Sequence, residues 1–282
     1  MTRVQADGGT AAPAVPADRR KAHLPALDGL RGVAILGVLV FHAGHLSGGF
    51  LGVDLFFALS GYLITDLCLR EITATGAVSL VAFWGRRIRR LLPALAVLLT
   101  VVTLFVWAVG TPDMLRTTLS DGPWVQADLV NWHLLAESAS YWDRFGPSRV
   151  FEHLWSIAVE EQFYLVWPVL LLLIARRGRR VDHRVAMAAA VASAISLVLM
   201  VILVDPADPT RVYTGTDTRA FSLLLGALVA TQPVRAVLAR AAGRWAQAVL
   251  AVGIGTLWLF VDGENSSWLY HGGLFAHSLA AA

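Results

Sequence analysis

The sequence predicts an all-α fold, a polytopic transmembrane helical bundle, and three observations predict it. The chain is 56% hydrophobic and 15% charged, whereas soluble chains run at about 45–50% and about 25%. The apolar residues are clustered: residues 91–109 and 185–204 carry no ionisable side chain, and each run has the length, about twenty residues, that crosses bilayer hydrocarbon. The cations fall between the apolar runs rather than among them. Together these exclude a soluble enzyme, a disordered chain and a disulfide scaffold. The basic balance, +3 with a pI near 9.4, is punctuation between helices and gives no support to a nucleic-acid partner. The one cysteine, Cys68, lies within an apolar run and reads as a small core residue.

In chain order, residues 1–23 are Ala, Pro, Gly and charge without an apolar core, and read as a flexible cytoplasmic tail rather than a secretory signal. Residues 24–282 form the membrane domain. About eight spanning segments are expected, at 27–46, 50–69, 91–110, 153–175, 185–204, 216–233, 245–261 and 269–282. With the tail inside, alternation sends Arg70, Arg86–Arg90, Arg176–Arg180, Arg184, Arg235, Arg240 and Arg244 to the cytoplasmic face. Only Arg116, Arg144, Arg149, Arg211 and Arg219 then remain outside, as the positive-inside rule requires. The long connection 111–152 holds a weakly apolar stretch, 124–141, which would invert every later loop if it spanned. It is therefore expected to be a re-entrant or interfacial helix. The last segment has only fourteen residues, about 21 Å of helix, and suggests a domain incomplete at its C-terminus.

Ionisable groups inside hydrocarbon are costly, so each is a candidate functional residue. The first segment carries Asp28, Arg31 and His42. Arg31 and His42 are eleven residues apart, close to three turns, so they share a face about 16 Å apart along the axis. His45, one turn on, reads as interfacial. The second segment opens Gly52-Val53-Asp54-Leu55-Phe56-Phe57. Asp54 either caps that helix or stands level with His42 as a carboxylate partner. In the fourth segment His153, Ser156, Glu160 and Tyr164 fall on one face beside Trp155. Glu161 shares the other face with Leu154, Ile157 and Leu165, so the spacing nominates Glu160 as the inward acid. Asp217 and Arg219, at the start of the sixth segment, could hold an anionic or polyol ligand or salt-bridge each other. The cluster Arg86, Arg87, Arg89, Arg90 suits a phosphate-rich ligand, or orientation and anionic headgroups alone. No Cys/His spacing of metal-ligand type occurs.

Four of these motifs, in order, resemble the acyltransferase 3 family: Leu27-Asp28-Gly29-Leu30-Arg31-Gly32 with His42, Gly52 to Tyr62, the Arg86–Arg90 cluster, and Trp155 to Tyr164. The similarity covers about residues 24–282. It implies an integral membrane O-acyltransferase of about ten spanning helices in its natural form, so the last two would lie beyond this chain. It also implies an acyl-CoA co-substrate, expected to be acetyl-CoA, arriving from the cytoplasm, with no bound cofactor. The acceptor would be a hydroxyl of a carbohydrate or lipid-linked glycan, such as a cell-surface glycan or a macrolide sugar. Some relatives add an extracytoplasmic domain. By the same resemblance Arg31 and His42 match the family's essential Arg and His, Glu160 its acidic position, and Arg86, Arg87, Arg89 and Arg90 its acyl-CoA cluster. The expected chemistry has His42 as general base, or as a transiently acylated nucleophile, with Glu160 or Asp54 orienting it. Arg31 stabilises charge or holds the donor. Asp28, His153, Trp155, Ser156, Tyr164, Asp217 and Arg219 serve the acceptor or the structure. The rival readings are a transporter of a glycan precursor, with His42, Arg31 and Glu160 lining its path, and an inactive scaffold. The cell membrane is the expected location, with the N-terminus cytoplasmic.

Overall fold

The computed structural model describes residues 25–142, 149–178, 180–241 and 243–282, so the tail 1–23, Arg144 and Arg179 lie outside the described residues. Those residues fold entirely as helices and connections, with no strand among them. In order they are α1 (Pro25–His42), α2 (Gly52–Thr75), α3 (Leu80–Val109), α4 (Pro112–Gln126), α5 (Val130–Ala136) and α6 (Trp155–Arg176). There follow α7 (Val181–Leu203), α8 (Thr210–Thr214), α9 (Thr216–Val229), α10 (Gln232–Ala241), α11 (Arg244–Phe260) and α12 (Gly273–Ala281).

Among the described residues five helices are long and apolar enough to cross a membrane: α1, Gly49–Thr75, α3, Glu152–Arg176 and α7. A sixth is reached if α9 and α10, bent by 80° at their junction, count as one broken span. The chain is a multi-pass membrane protein, as the apolar runs predict. The expected segment 245–261 is the 17-residue α11, and 269–282 contains the nine-residue α12; both are shorter than a full crossing.

The helix ends follow from local chemistry. Gly76 stops α2 in the left-handed region at φ 82° and donates back to Ile72, while the Ser79 hydroxyl accepts from Ala82 N–H to begin α3. Thr111 caps α4 through Met114 N–H, with Pro112 in its first turn.

Burial sorts the helices into layers. More than half of the α2 span is buried, against about a tenth of α1 and less of α3, so α2 is the central post and the other two are flanking helices. The exposed faces of α1 and α3 carry Leu36, Leu39, Val101, Phe105 and Trp107, as lipid contact requires. Against α2 lies α9, at a crossing where Gly61 and Gly226 leave no room for a methyl group. A Cβ on Gly61 would stand 1.8 Å from the Leu223 carbonyl, and one on Gly226 1.9 Å from that of Ala58.

The segment expected to be re-entrant or interfacial is a helical hairpin. α4 returns along α3, turns at Ala127–Leu129, and comes back as α5. The turn is pinned by Gln162, whose Nε2 donates to the Asp128 carbonyl at 2.6 Å and to Asn131 Oδ1 at 3.0 Å. Gln162 sits about 10 Å beyond the start of α6, so the hairpin tip lies well along that helix instead of at its end. The two arms are tied by His133 Nε2 to Asp121 Oδ1 at 3.1 Å and by Trp124 stacked on His133.

Candidate active site

Arg31, His42, Glu160 and part of the arginine cluster border three cavities ranged along α1 and α6. At the end bearing the Arg cluster a vestibule of about 850 Å³ opens between α2, α3 and α6, lined by Arg70, Arg86, Arg87, Arg90, Glu160, Glu161 and Tyr164. Arg89 is not part of this lining, so three members of the cluster face the cavity and one does not. At the inner end of the vestibule stand Arg31, Phe56, Ile157 and Glu160. Phe56, Ile157 and Glu160 also line a narrower groove of about 240 Å³, walled by Ala34, Ile35, Val38, Leu39, Val53 and Phe57 and floored by Ser156. One turn beyond Val38 on the same helix is His42, which faces a second vestibule of about 690 Å³ with His45, Tyr141, Trp142, Arg149, Glu152 and His153.

Local sequence explains the neck. Ile157 and Glu160 stand three positions apart on α6, and Glu160 and Tyr164 four, so all three border the space between α6, α2 and α3. Glu160 is buried and accepts the Ser60 hydroxyl at 2.6 Å and the Tyr164 hydroxyl at 2.5 Å. Arg31 Nη2 lies 4.0 Å from the same carboxylate oxygen, with its guanidinium 4.9 Å from the Phe56 ring centre. The spacing argument thus selects a carboxylate that does face the vestibule.

Glu161 departs from the face argument. It is held by Arg87, whose Nε donates to both carboxylate oxygens at 2.8 and 2.7 Å while Nη2 bonds Oε1, and it lines the vestibule beside Glu160. The Arg87 guanidinium carbon lies over the Tyr164 ring, 3.5 Å from its centre. Helical spacing missed this because the partner sits 74 positions away, on α3. The available signal was the presence of one dense Arg cluster and one adjacent acidic pair.

His42 is not oriented by a carboxylate. Its Nδ1 lies 2.8 Å from the Val38 carbonyl, which can only accept, so the proton sits on Nδ1 and the Nε2 lone pair faces the second vestibule. There the Tyr141 hydroxyl stands 3.5 Å from Nε2. Burial pushes the Tyr141 phenol up to about 12, so it remains a donor at neutral pH. Tyr141 was legible only as an interfacial aromatic; its approach to His42 spans 99 positions and has no local signature.

The structure corrects the expectation for Asp54. It is fully buried and accepts from Arg219 Nη2 at 2.8 Å, Ser222 at 2.8 Å and Ser278 at 2.9 Å, joining α2 to α9 and α12. It therefore neither caps its helix nor contacts His42. Arg219, equally buried, is not paired with Asp217, which takes both Nη groups of Arg211 at 2.9 and 2.7 Å. The two residues, read as a ligand site or as a salt bridge with each other, are instead divided between two ion pairs, Asp217 with Arg211 and Arg219 with Asp54. Asp28 is exposed in the first turn of α1. His153 lines the vestibule of His42, and the Ser156 hydroxyl donates to its carbonyl. Trp155 is buried with Tyr213, Tyr141 and Phe57 rings around it at 4.9, 6.1 and 6.2 Å. Among the described residues no group of three His, Cys, Asp or Glu side chains is arranged to hold a metal ion.

A helical membrane bundle with an imidazole in one cavity, guanidinium groups in another and an apolar groove between them defines a class that comparison with known proteins makes definite. The Acyltransferase domain family matches residues 24–282, and the chain belongs to this acyltransferase 3 family. It is 36% identical over 268 residues to the O-acetyltransferase OatA of Staphylococcus aureus strain NCTC 8325 / PS 47, covering 92% of this chain and 44% of that protein. It is also 36% identical over 284 residues to the putative O-acetyltransferase SACOL0978 of S. aureus strain COL, covering 93% of this chain and 44% of that one. The chain therefore spans less than half the length of these relatives. No solved structure matches it.

Proposed function

We propose that this domain transfers an acyl group, acetyl in the first instance, from acyl-CoA to a hydroxyl of a carbohydrate acceptor on the opposite side of the membrane. The observation that carries the reading is the order of three cavities along α1 and α6. A vestibule with Arg70, Arg86, Arg87 and Arg90 borders Arg31 and Glu160, and Glu160 also lines an apolar groove that ends one turn short of His42, whose Nε2 meets only the Tyr141 hydroxyl among the described residues. Arginine forks are suited to the phosphates of the donor. The groove suits an extended, mostly uncharged arm. Arg31 and His42 are about 16 Å apart along α1, roughly the reach of four or five extended residues, and the pantetheine arm is of that order. This separation favours Arg31 as a group that holds the donor over one that stabilises charge at the reacting carbonyl.

In the reaction His42 Nε2 takes the proton of the acceptor hydroxyl as its oxygen attacks the thioester carbonyl. The carbon–sulfur bond breaks, and the imidazolium returns the proton to the departing thiolate. The Val38 carbonyl keeps the ring in the required tautomer and Tyr141 donates toward the same edge. Glu160 holds Arg31 at the neck and is a positioning residue for it. The Arg-rich face is the cytoplasmic one by the positive-inside rule, with the N-terminus on that side of the cell membrane. The O-acetyltransferase names of the relatives support acetyl as the group and are consistent with a glycan acceptor.

The test is release of CoA from acetyl-CoA by membranes containing the chain and a glycan acceptor, beside His42→Ala. Transfer is expected to fall at least a hundredfold, within the range contributed by a positioned base. Near-normal transfer in the variant would remove His42 from the chemistry.

A further inference from the structure

We propose that Glu161 is a positioning residue that presents Arg87 to a phosphate or diphosphate group of the donor; this rests on the acyl-CoA reading of the vestibule. A guanidinium carries five N–H bonds in a fixed plane. Glu161 engages the Nε edge of Arg87 and one Nη2 hydrogen, and among the described residues the remaining N–H bonds meet no protein acceptor. The Tyr164 ring packs against the guanidinium carbon at 3.5 Å and limits its movement, and Glu160 in turn accepts from the Tyr164 hydroxyl. Arg87 is thereby held in place, with one edge taken and the other unused.

The neighbours contrast with it. Arg86 and Arg90 line the same cavity but are exposed and make no ion pair among the described residues, and Arg70 is paired with Asp66. A free arginine side chain samples many rotamers, and much of that entropy is lost when it binds an anion. Arg87 has already lost that freedom on folding, so a phosphate docking on its unused edge gains the interaction with less ordering cost. Glu161 also supplies the countercharge that lets Arg87 sit half-buried in the vestibule wall. Two successive carboxylates thus serve two different arginines, Glu160 the one at the neck and Glu161 the one in the wall.

The experiment measures thermal protection of the detergent-solubilised full chain by free CoA and, separately, the acetyl-CoA dependence of CoA release. The proteins are wild type, Glu161→Gln and Glu161→Asp. Glu161→Gln is expected to raise the CoA concentration needed for half protection, and the KM for acetyl-CoA, about tenfold, with kcat within about twofold. Glu161→Asp keeps the charge but withdraws the fork by one methylene and is expected to weaken protection severalfold, which decides the matter if the Gln variant does not fold. Wild type protected by CoA, with both variants protected equally or better, overturns the positioning role and leaves the donor reading standing. Absence of protection of wild type by CoA overturns the donor reading, and this inference with it.

Discussion

Single side chains in this membrane bundle have separable duties, and Asp54 shows it best. Its carboxylate is fully buried with Arg219, Ser222 and Ser278. Removing one member of such a pair leaves a buried charge uncompensated, at a cost of about 3–5 kcal/mol. Asp54→Asn is therefore expected to lower the melting temperature sharply in detergent; an unchanged melt with abolished transfer would return Asp54 to the chemistry. Asp128, at the hairpin tip, makes a pH-dependent contribution. Burial, then the nearby Glu161 charge, lifts its carboxyl to about 6, against the pull of Arg87. The native chain thus binds this proton more readily than the unfolded chain. The stability it contributes is complete below the ordinary value of 3.8 and is lost as pH rises through about 6. Asn tolerates the φ of 55° found there. Asp128→Asn should melt above wild type at pH 7.5 and level with it near pH 3.5, and a lower melt at pH 7.5 would contradict the assignment. At this scale the sequence is legible only where neighbours are local. Glu160 and Tyr164 were found because four residues on a helix make one face. The partner of Asp54 lies 165 positions away and that of Glu161 lies 74 away, distances over which helical periodicity carries no information.

The helices obey the same division. Apolar length located α2, α3, α6 and α7, because a membrane imposes both hydrophobicity and minimum length on a span. The hairpin α4–α5 was legible by elimination, from the charge bias that a further crossing would have inverted. Its pinning by Gln162, Asn131 and Trp132 was not, since isolated polar residues in a weakly apolar stretch have many possible uses. Nor does a run of apolar residues reveal a bend, such as the 80° turn between α9 and α10. What holds the central pair together is contact of backbones. Gly61→Ala forces a methyl group against the Leu223 carbonyl, an overpacking worth about 1–3 kcal/mol or more. Gly255→Ala, on α11, meets nothing within 4 Å and gains helix propensity. The first should melt lower than wild type and the second no lower; equal melts would mean that the α2–α9 crossing relaxes freely.

Across the whole molecule an apolar groove lies between the cavity of the arginines and the cavity of His42. The groove between Glu160 and His42 is walled by aliphatic and aromatic side chains, with Ser156 its one further polar lining residue. On the proposed reading, a covalently carried acyl group is presented along this groove while its phosphate-bearing carrier stays behind on the arginines, and the apolar wall disfavours ions. A transporter of a free glycan precursor would need the groove to pass a polar, hydroxyl-rich body, for which 240 Å³ of apolar lining is a poor match. The class of fold and the two ends of this arrangement were legible in order along the chain. Their relation was not, because it depends on which faces of α1, α2 and α6 turn toward one another.

The most direct test uses sealed vesicles of known orientation carrying this domain in its full natural chain. Acetyl-CoA is supplied only on the side of Arg86, Arg87 and Arg90, and a glycan acceptor only on the side of His42. Acetyl ester is expected to form on the His42 side with CoA appearing on the arginine side, and His42→Ala should abolish both. Ester formed only when donor and acceptor share one side, or formation that survives His42→Ala, would contradict the account.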